Sequence, residues 1–292
     1  MPAFLLGLAS IGVLVVMDAL IKHLALRHGA PALVAMRFAA TVLWLLPVVV
    51  WLRAPWPGVA QVRAHGLRAV MMLVSSACFF HALGTLPFAD VFTLSFLAPI
   101  FVTAFGVVIL GEGLGVRTIA ALALGCLGMV ITVRGGLDAS AATGAWPLHG
   151  LAAGLAAPLL YALSITLLKA QAGREPAAVI VLTQSALAAV MASPVAAVSW
   201  VWPTAQEWWL IGIVGALSAA GYLMLVRALA GMSSVRYGVV EYSGLIWAAA
   251  LGYVAFNEAP GGHVWLGAAA IIAGCLILAM QKDEARSQSA AA

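Results

Sequence analysis

Apolar residues in this chain do not alternate with polar ones, and they do not form a single stripe on an otherwise polar helix. They run on. Ten continuous stretches are predicted as helices, at roughly 3–27, 31–52, 66–86, 87–110, 116–134, 148–170, 177–199, 207–230, 233–256 and 263–281. Most are about 20 residues long, enough for a helix to cross ~30 Å of hydrocarbon. A transmembrane barrel would need alternating strands, so the unbroken runs favour helices. The breaks between runs carry turn chemistry: Gly29-Ala30-Pro31, Pro55-Trp56-Pro57-Gly58, Gly135-Gly136, Trp202-Pro203 and Pro260-Gly261-Gly262. No linker is long enough to set off a soluble domain. The first run is too long for a signal-peptide core and lacks a basic start, so it is read as a retained span.

Composition sharpens this picture. Of 292 residues, 64% are hydrophobic and 8% are charged, against about 25% charged in an ordinary soluble domain. Lipid must therefore be the solvent for most of the surface. The net charge of +4 is no nucleic-acid footprint; its meaning lies in which loops hold the lysines and arginines. With a cytoplasmic N-terminus, ten of the fourteen fall on the cytoplasmic side. Only Lys22, Arg27, Arg37 and Arg134 fall on the other. That asymmetry predicts a multi-pass protein of the inner membrane with both termini inside. Tryptophans near span ends, among them Trp51, Trp56, Trp146, Trp202, Trp209 and Trp265, are read as interfacial anchors. Cys78, Cys126 and Cys275 each sit in an apolar run and are read as small buried hydrophobes, with no metal spacing. No metalloprotease, hydrolase, nucleotide-binding or dinucleotide-binding motif is present, so neither an enzyme nor a cofactor is expected.

The chain repeats itself. Shifted by 146 positions, Gly106 meets Gly252, Glu112 meets Glu258 and Gly128 meets Gly274. Shifted by 147, Lys22 meets Lys169 and Pro47 meets Pro194. The glutamates carry most weight, since the chain has only six. The predicted organisation is a first five-helix repeat over 1–136, a second over 147–281, and a polar cytoplasmic tail over 282–292. Five helices is an odd number, so the second repeat would enter the membrane inverted. Such pairs are a recurring transporter architecture, with the binding site near the midplane between the repeats.

The run APIFVTAFGVVILGEGLGVRTIAALALGCLGMVI from Ala98 to Ile131, and its echo IWAAALGYVAFNEAPGGHVWLGAAAIIAGCLIL from Ile246 to Leu278, resemble the drug/metabolite transporter superfamily in its ten-helix EamA-type branch. Span number and length extend the likeness over nearly the whole chain. In the echo Asn257 replaces the glycine before the glutamate, and Leu245 stands where the first half has Pro99, which suggests that the halves are not functionally equivalent. The resemblance implies a secondary exporter of amino acids, other metabolites or drugs. Exporters of aromatic and other neutral amino acids are the most similar branch.

Polar groups at membrane depth are expensive and need a reason. Asp18 and Lys22 lie four apart on one face of the first span. They fit either a charged patch on a cavity wall or an internal ion pair with Lys22 snorkelling. Arg37 can dock a carboxylate or reach the headgroups. His81 titrates near neutrality and suits proton coupling, but a lone histidine also serves as a structural residue. Pro99, in the middle of its span, removes a backbone hydrogen bond, frees the Ser95 carbonyl and predicts a kink there. Ser95 and Thr103 share its face. Pro158 acts likewise in the sixth span, next to Tyr161. Both prolines are candidate hinges or sources of static curvature. Glu241 lies about 12 Å along its helix, too deep for easy snorkelling, with Tyr237 one turn before it. It is read as holding a substrate ammonium or a proton, or as pairing with a nearby arginine. Asp90 is expected to favour a helix start, and Glu112 and Glu258 to shape turns.

The expected function is alternating-access export of a small metabolite, an amino acid or similar compound, with no nucleic-acid partner. A channel or facilitator and a lipid-handling membrane protein are the alternatives.

Overall fold

The computed structural model describes residues 2–111, 115–116, 119–120, 123–128, 130–131, 134–135, 147–198, 200–232, 237, 240–241, 243–256 and 261–279. Among them ten helices are named here in chain order. They are α1 (Pro2–Leu24), α2 (Ala30–Trp51), α3 (Val59–Thr85), α4 (Phe88–Ser95) and α5 (Leu97–Leu110), then α6 (Leu148–Gln171), α7 (Ala177–Val198), α8 (Ala205–Ala230), α9 (Ser243–Phe256) and α10 (Gly262–Ala279). Residues 119–120, 123–128 and 130–131, within the fifth predicted span, are also helical. Glu112, Glu258, Tyr242, Asn257, Trp146 and the tail lie outside the described residues.

The protein is an all-α membrane protein. Helices α1, α2, α3, α6, α7 and α8 contain spans of 22 to 27 residues with mean hydropathy between 1.5 and 2.4. Only 44 to 56% of each span is buried inside the protein, so about half of each apolar surface faces outward. Leu43, Val108 and Val190 are among the exposed large side chains. Such a surface is stable only against lipid. Trp51, Trp56, Trp202, Trp209 and Trp265 are exposed as well, as anchors require. Cys126 departs from expectation: it is exposed rather than buried. A lipid-facing thiol loses nothing by exposure, because hydrocarbon solvates it as a protein core does.

Two boundaries differ from the sequence prediction. The span 87–110 is not one kinked helix but two, divided at Phe96. Pro99 has no N–H to donate to the carbonyl four residues back, and its ring crowds that turn. The break falls there, three residues ahead of the proline. At Pro158, by contrast, α6 runs through without interruption. Helix α3 starts at Val59 rather than near residue 66. The Gly58 N–H donates to Gln61 Oε1 at 2.5 Å and caps the first turn, and farther along His65 and Arg68 find protein partners.

The principal packing joins early helices to late ones: α1 on α8, α3 on α6, α2 on α7, and then α2 on α8 and α3 on α7. Small residues permit the approach. A Cβ at Gly215 of α8 would come within 2.7 Å of the Ala40 carbonyl carbon in α2. One at Gly154 of α6 would meet Leu94 Cδ1 at 2.7 Å.

Positions 146 or 147 apart make equivalent contacts. Near the end of α1, Lys22 Nζ donates to the Leu86 carbonyl at 3.4 Å, just past α3. Near the end of α6, Lys169 Nζ donates to the Leu229 and Met232 carbonyls at 2.9 and 2.6 Å, at the end of α8. The Gly58–Gln61 cap of α3 corresponds to Thr204–Glu207 at α8, where the Thr204 N–H donates to Glu207 Oε2 at 2.7 Å.

Polar ties also join early and late helices at opposite ends of α2. At one end Arg27 Nη1 donates to Glu207 Oε2 at 3.1 Å, and His28 Nε2 lies 3.4 Å from Oε1. At the other, His65 Nε2 lies 3.0 Å from Glu175 Oε2. Arg68 backs that pair, donating to Gln171 Oε1 at 2.6 Å and to Gln184 Oε1.

Candidate functional site

A cavity of about 150 Å³ lies where these helices converge. From the first part of the chain, α1 lends Ile11, Leu14, Val15 and Asp18, an i, i+3, i+4, i+7 stripe. Helix α2 lends Arg37. Helix α3 lends Met72, Ser75, Ser76, Phe79 and Phe80, and the α4–α5 break lends Ser95, Phe96 and Pro99. From the second part come Pro158 and Tyr161 of α6, Tyr222 of α8, Glu241, and Gly244 of α9. The wall is apolar and aromatic with a few charged groups, the make-up of a small-molecule site.

Arg37, near the start of α2, is 2% exposed. Its Nη1 donates to Ser76 Oγ at 2.9 Å. Its guanidinium carbon lies 4.7 Å from the Phe38 ring centre, 5.1 Å from Tyr222 and 5.6 Å from Phe80, within cation–π range. Opposite in sign are Asp18, which feels the Arg37 charge, and Glu241, whose Oε2 is buried without a hydrogen-bond partner. The hydroxyls of Tyr161 and Tyr237 bond each other at 3.0 Å beside that carboxylate. Tyr237 itself is fully buried and does not line the cavity. It stands behind the wall, bonded to Tyr161 and next to the Glu241 carboxylate.

The structure thus brings Asp18, Arg37, Pro99, Pro158, Tyr161 and Glu241 together around one space, with Tyr237 behind it. Two predicted residues stand apart. Lys22 is on the Asp18 stripe but beyond the cavity, turned to the Leu86 carbonyl. His81 is exposed, and its Nε2 lies 2.8 Å from His149 Nδ1. Phe79, two residues earlier, faces the cavity. Two residues turn a helix by about 200°, which sends His81 to the outside. Ser95 lines the cavity, while Thr103 turns its hydroxyl to the Pro99 carbonyl at 2.8 Å and is buried. Sequence reasoning missed Ser75, Ser76 and the Phe96 break. The serines were legible only as part of the Met72–Phe79 stripe, at i+3 and i+4. The His65–Arg68–Gln171–Glu175–Gln184 network was missed too, because its members come from distant positions. Among the described residues no cluster of three or more metal-ligating side chains occurs.

The sequence model of the EamA-like transporter family matches this chain twice, over residues 1–134 and 148–280. The chain belongs to that family. A pseudopaline exporter of Pseudomonas aeruginosa is 26% identical over 270 residues, covering 91% of this chain and 92% of that protein. An S-adenosylmethionine uptake transporter of Rickettsia bellii is 23% identical over 271 residues, covering 93% and 91%. A solved crystal structure superposes with a TM-score of 0.71 at 20% identity, covering 95% of this chain and 98% of that one; it establishes the shared fold. EamA-like proteins are transporters, not enzymes. This one is a multi-pass membrane transporter of small metabolites.

Proposed function

We propose that the chain is a secondary active exporter of small metabolites, namely amino acids, aromatic ones included, working by alternating access. The observation that carries the reading is Glu241. A carboxylate oxygen buried without a partner, on the wall of a cavity between the two family matches, needs a cation. A substrate ammonium or a proton meets that need. Two five-helix repeats, 1–136 and 147–281, would rock about the cavity, the second inverted in the membrane relative to the first. The α4–α5 break at Phe96, three residues ahead of Pro99, absorbs bending, and Pro158 lines the same cavity. The excess of lysine and arginine on one side supports cytoplasmic termini in the inner membrane.

One relative is an exporter and another an uptake transporter. Export is taken from the relative with the higher identity of the two. Amino-acid chemistry is supported by the charged cavity, and by an uptake relative whose cargo is a derivative of methionine.

Counterflow in proteoliposomes tests the reading. Vesicles loaded with one unlabelled amino acid are expected to accumulate its labelled form from outside, with saturation. Failure of every amino acid to exchange, in protein shown to be folded, would overturn the substrate assignment. Flux without saturation or trans-stimulation would make the protein a facilitator.

A further inference from the structure

Arg37 poses a question that the fold does not answer. It is 2% exposed and lines the cavity. Its Nη1 donates to Ser76 Oγ, and the Tyr222 hydroxyl also interacts with the guanidinium. Nε and Nη2 are buried with no hydrogen-bond partner. These two nitrogens form one edge of the guanidinium, the edge whose parallel N–H groups match the two oxygens of a carboxylate. Three aromatic rings surround the group and restrict its plane, and that edge makes no hydrogen bond among the described residues.

Asp18 shares the cavity. Yet among the described residues no ion pair within 4.0 Å joins it to Arg37. The cavity therefore holds two incomplete groups of opposite charge: the Nε–Nη2 edge of Arg37 on α2, from the first family match, and Glu241 Oε2, from the second.

We propose that Arg37 is the carboxylate dock of the transported molecule. The ligand class is then the α-amino carboxylate, bound with its carboxylate toward α2 and α3 and its ammonium toward Glu241. The side chain lies along Phe79, Phe96 and Tyr161. One ligand completes both groups at once, and in doing so bridges the two halves. This assignment rests on the proposed amino-acid transport, but it adds something that reading does not require: both ends of the zwitterion are obligatory, and each is read by a different half.

The test begins with the unmodified protein, so that no variant has to fold. The amino acid giving the strongest counterflow serves as reference. It is compared, as competitor, with its amide, which lacks the carboxylate charge, and with its des-amino acid, which lacks the ammonium. Each analogue is expected to compete about tenfold or more weakly, since a buried group built to bond a ligand rejects one that leaves it unpaired. If the amide competes as well as the acid, the dock is overturned while amino-acid transport stands. If no amino acid exchanges, both readings fall together. Variants then assign the ends. Arg37→Gln should lose discrimination against the amide and keep it against the des-amino acid; Glu241→Gln should do the reverse. Should Arg37→Gln not fold, Ser76→Ala, which removes the acceptor of Nη1, should narrow the acid-to-amide ratio severalfold. An unchanged ratio in a folded Arg37→Gln or Ser76→Ala protein would exclude the dock.

Discussion

Position along a helix decided little about individual residues; the direction of each side chain decided most. Glu241 and His81 show the contrast. Both are ionisable groups in apolar runs. Glu241 faces the cavity and His81 faces outward against His149. Glu241→Gln is therefore expected to lower amino-acid exchange by about tenfold or more, because a neutral amide cannot balance an ammonium in a dry site. Melting of the purified protein should change little. An unaltered exchange rate would remove the residue from the mechanism. His81→Ala should leave exchange within about twofold of the parent, as surface substitutions generally do. A large loss there would show that the histidine pair takes part in transport. Arg37 was legible in the sequence as a charge in a span, and its burial removes headgroup contact, one of the two readings open to it.

At the scale of elements, the lysines explain how the long helices end. Lys22 and Lys169 occupy equivalent positions, and each reaches carbonyls at the end of a partner helix, α3 or α8. Those carbonyls have no intrahelical donor, and a cation there also suits the helix dipole. Four-residue spacing left a cavity patch or an internal ion pair open for Asp18 and Lys22; Asp18 lines the cavity and Lys22 reaches the Leu86 carbonyl beyond it. Lys22→Met and Lys169→Met should each cost about 1 kcal/mol of stability, read as a lower melting temperature. Substrate selectivity should be retained in both. A change in selectivity with Lys22→Met would return that residue to the site. The ends of most described helices were legible from apolar run length. The division at Phe96 and the early start of α3 were not. The first needs the steric reach of Pro99 and the second needs Gln61 to fold back on Gly58.

For the whole molecule, the two polar ties suggest how the cavity is closed. Arg27 holds Glu207 at one end of α2, with His28 beside it, and His65 with Arg68 holds Glu175 and its neighbours at the other. Each tie crosses between the parts of the chain that alternating access would move. Glu207→Gln is expected to increase labelling of a cysteine introduced into the cavity from the His28 end. Glu175→Gln should increase it from the His65 end. In the proposed orientation, with both termini cytoplasmic, the first is the outer face and the second the inner. If both substitutions increase labelling from the same side, or neither does, the ties are structural and do not gate.

The sequence by itself determined that this is a helical membrane protein built twice over, because apolar run length and a rare repeated glutamate are local properties that no packing can alter. It also located the costly charges, since any such residue in lipid must be accounted for. Only the tertiary structure decided which of those charges share a space. Asp18, Arg37 and Glu241 come from three separate helical segments, and their convergence follows from α1 on α8, α3 on α6 and α2 on α7. Pairings between helices far apart in the chain depend on close approaches such as Gly215 against Ala40. Those are properties of two surfaces together, and neither segment carries them alone.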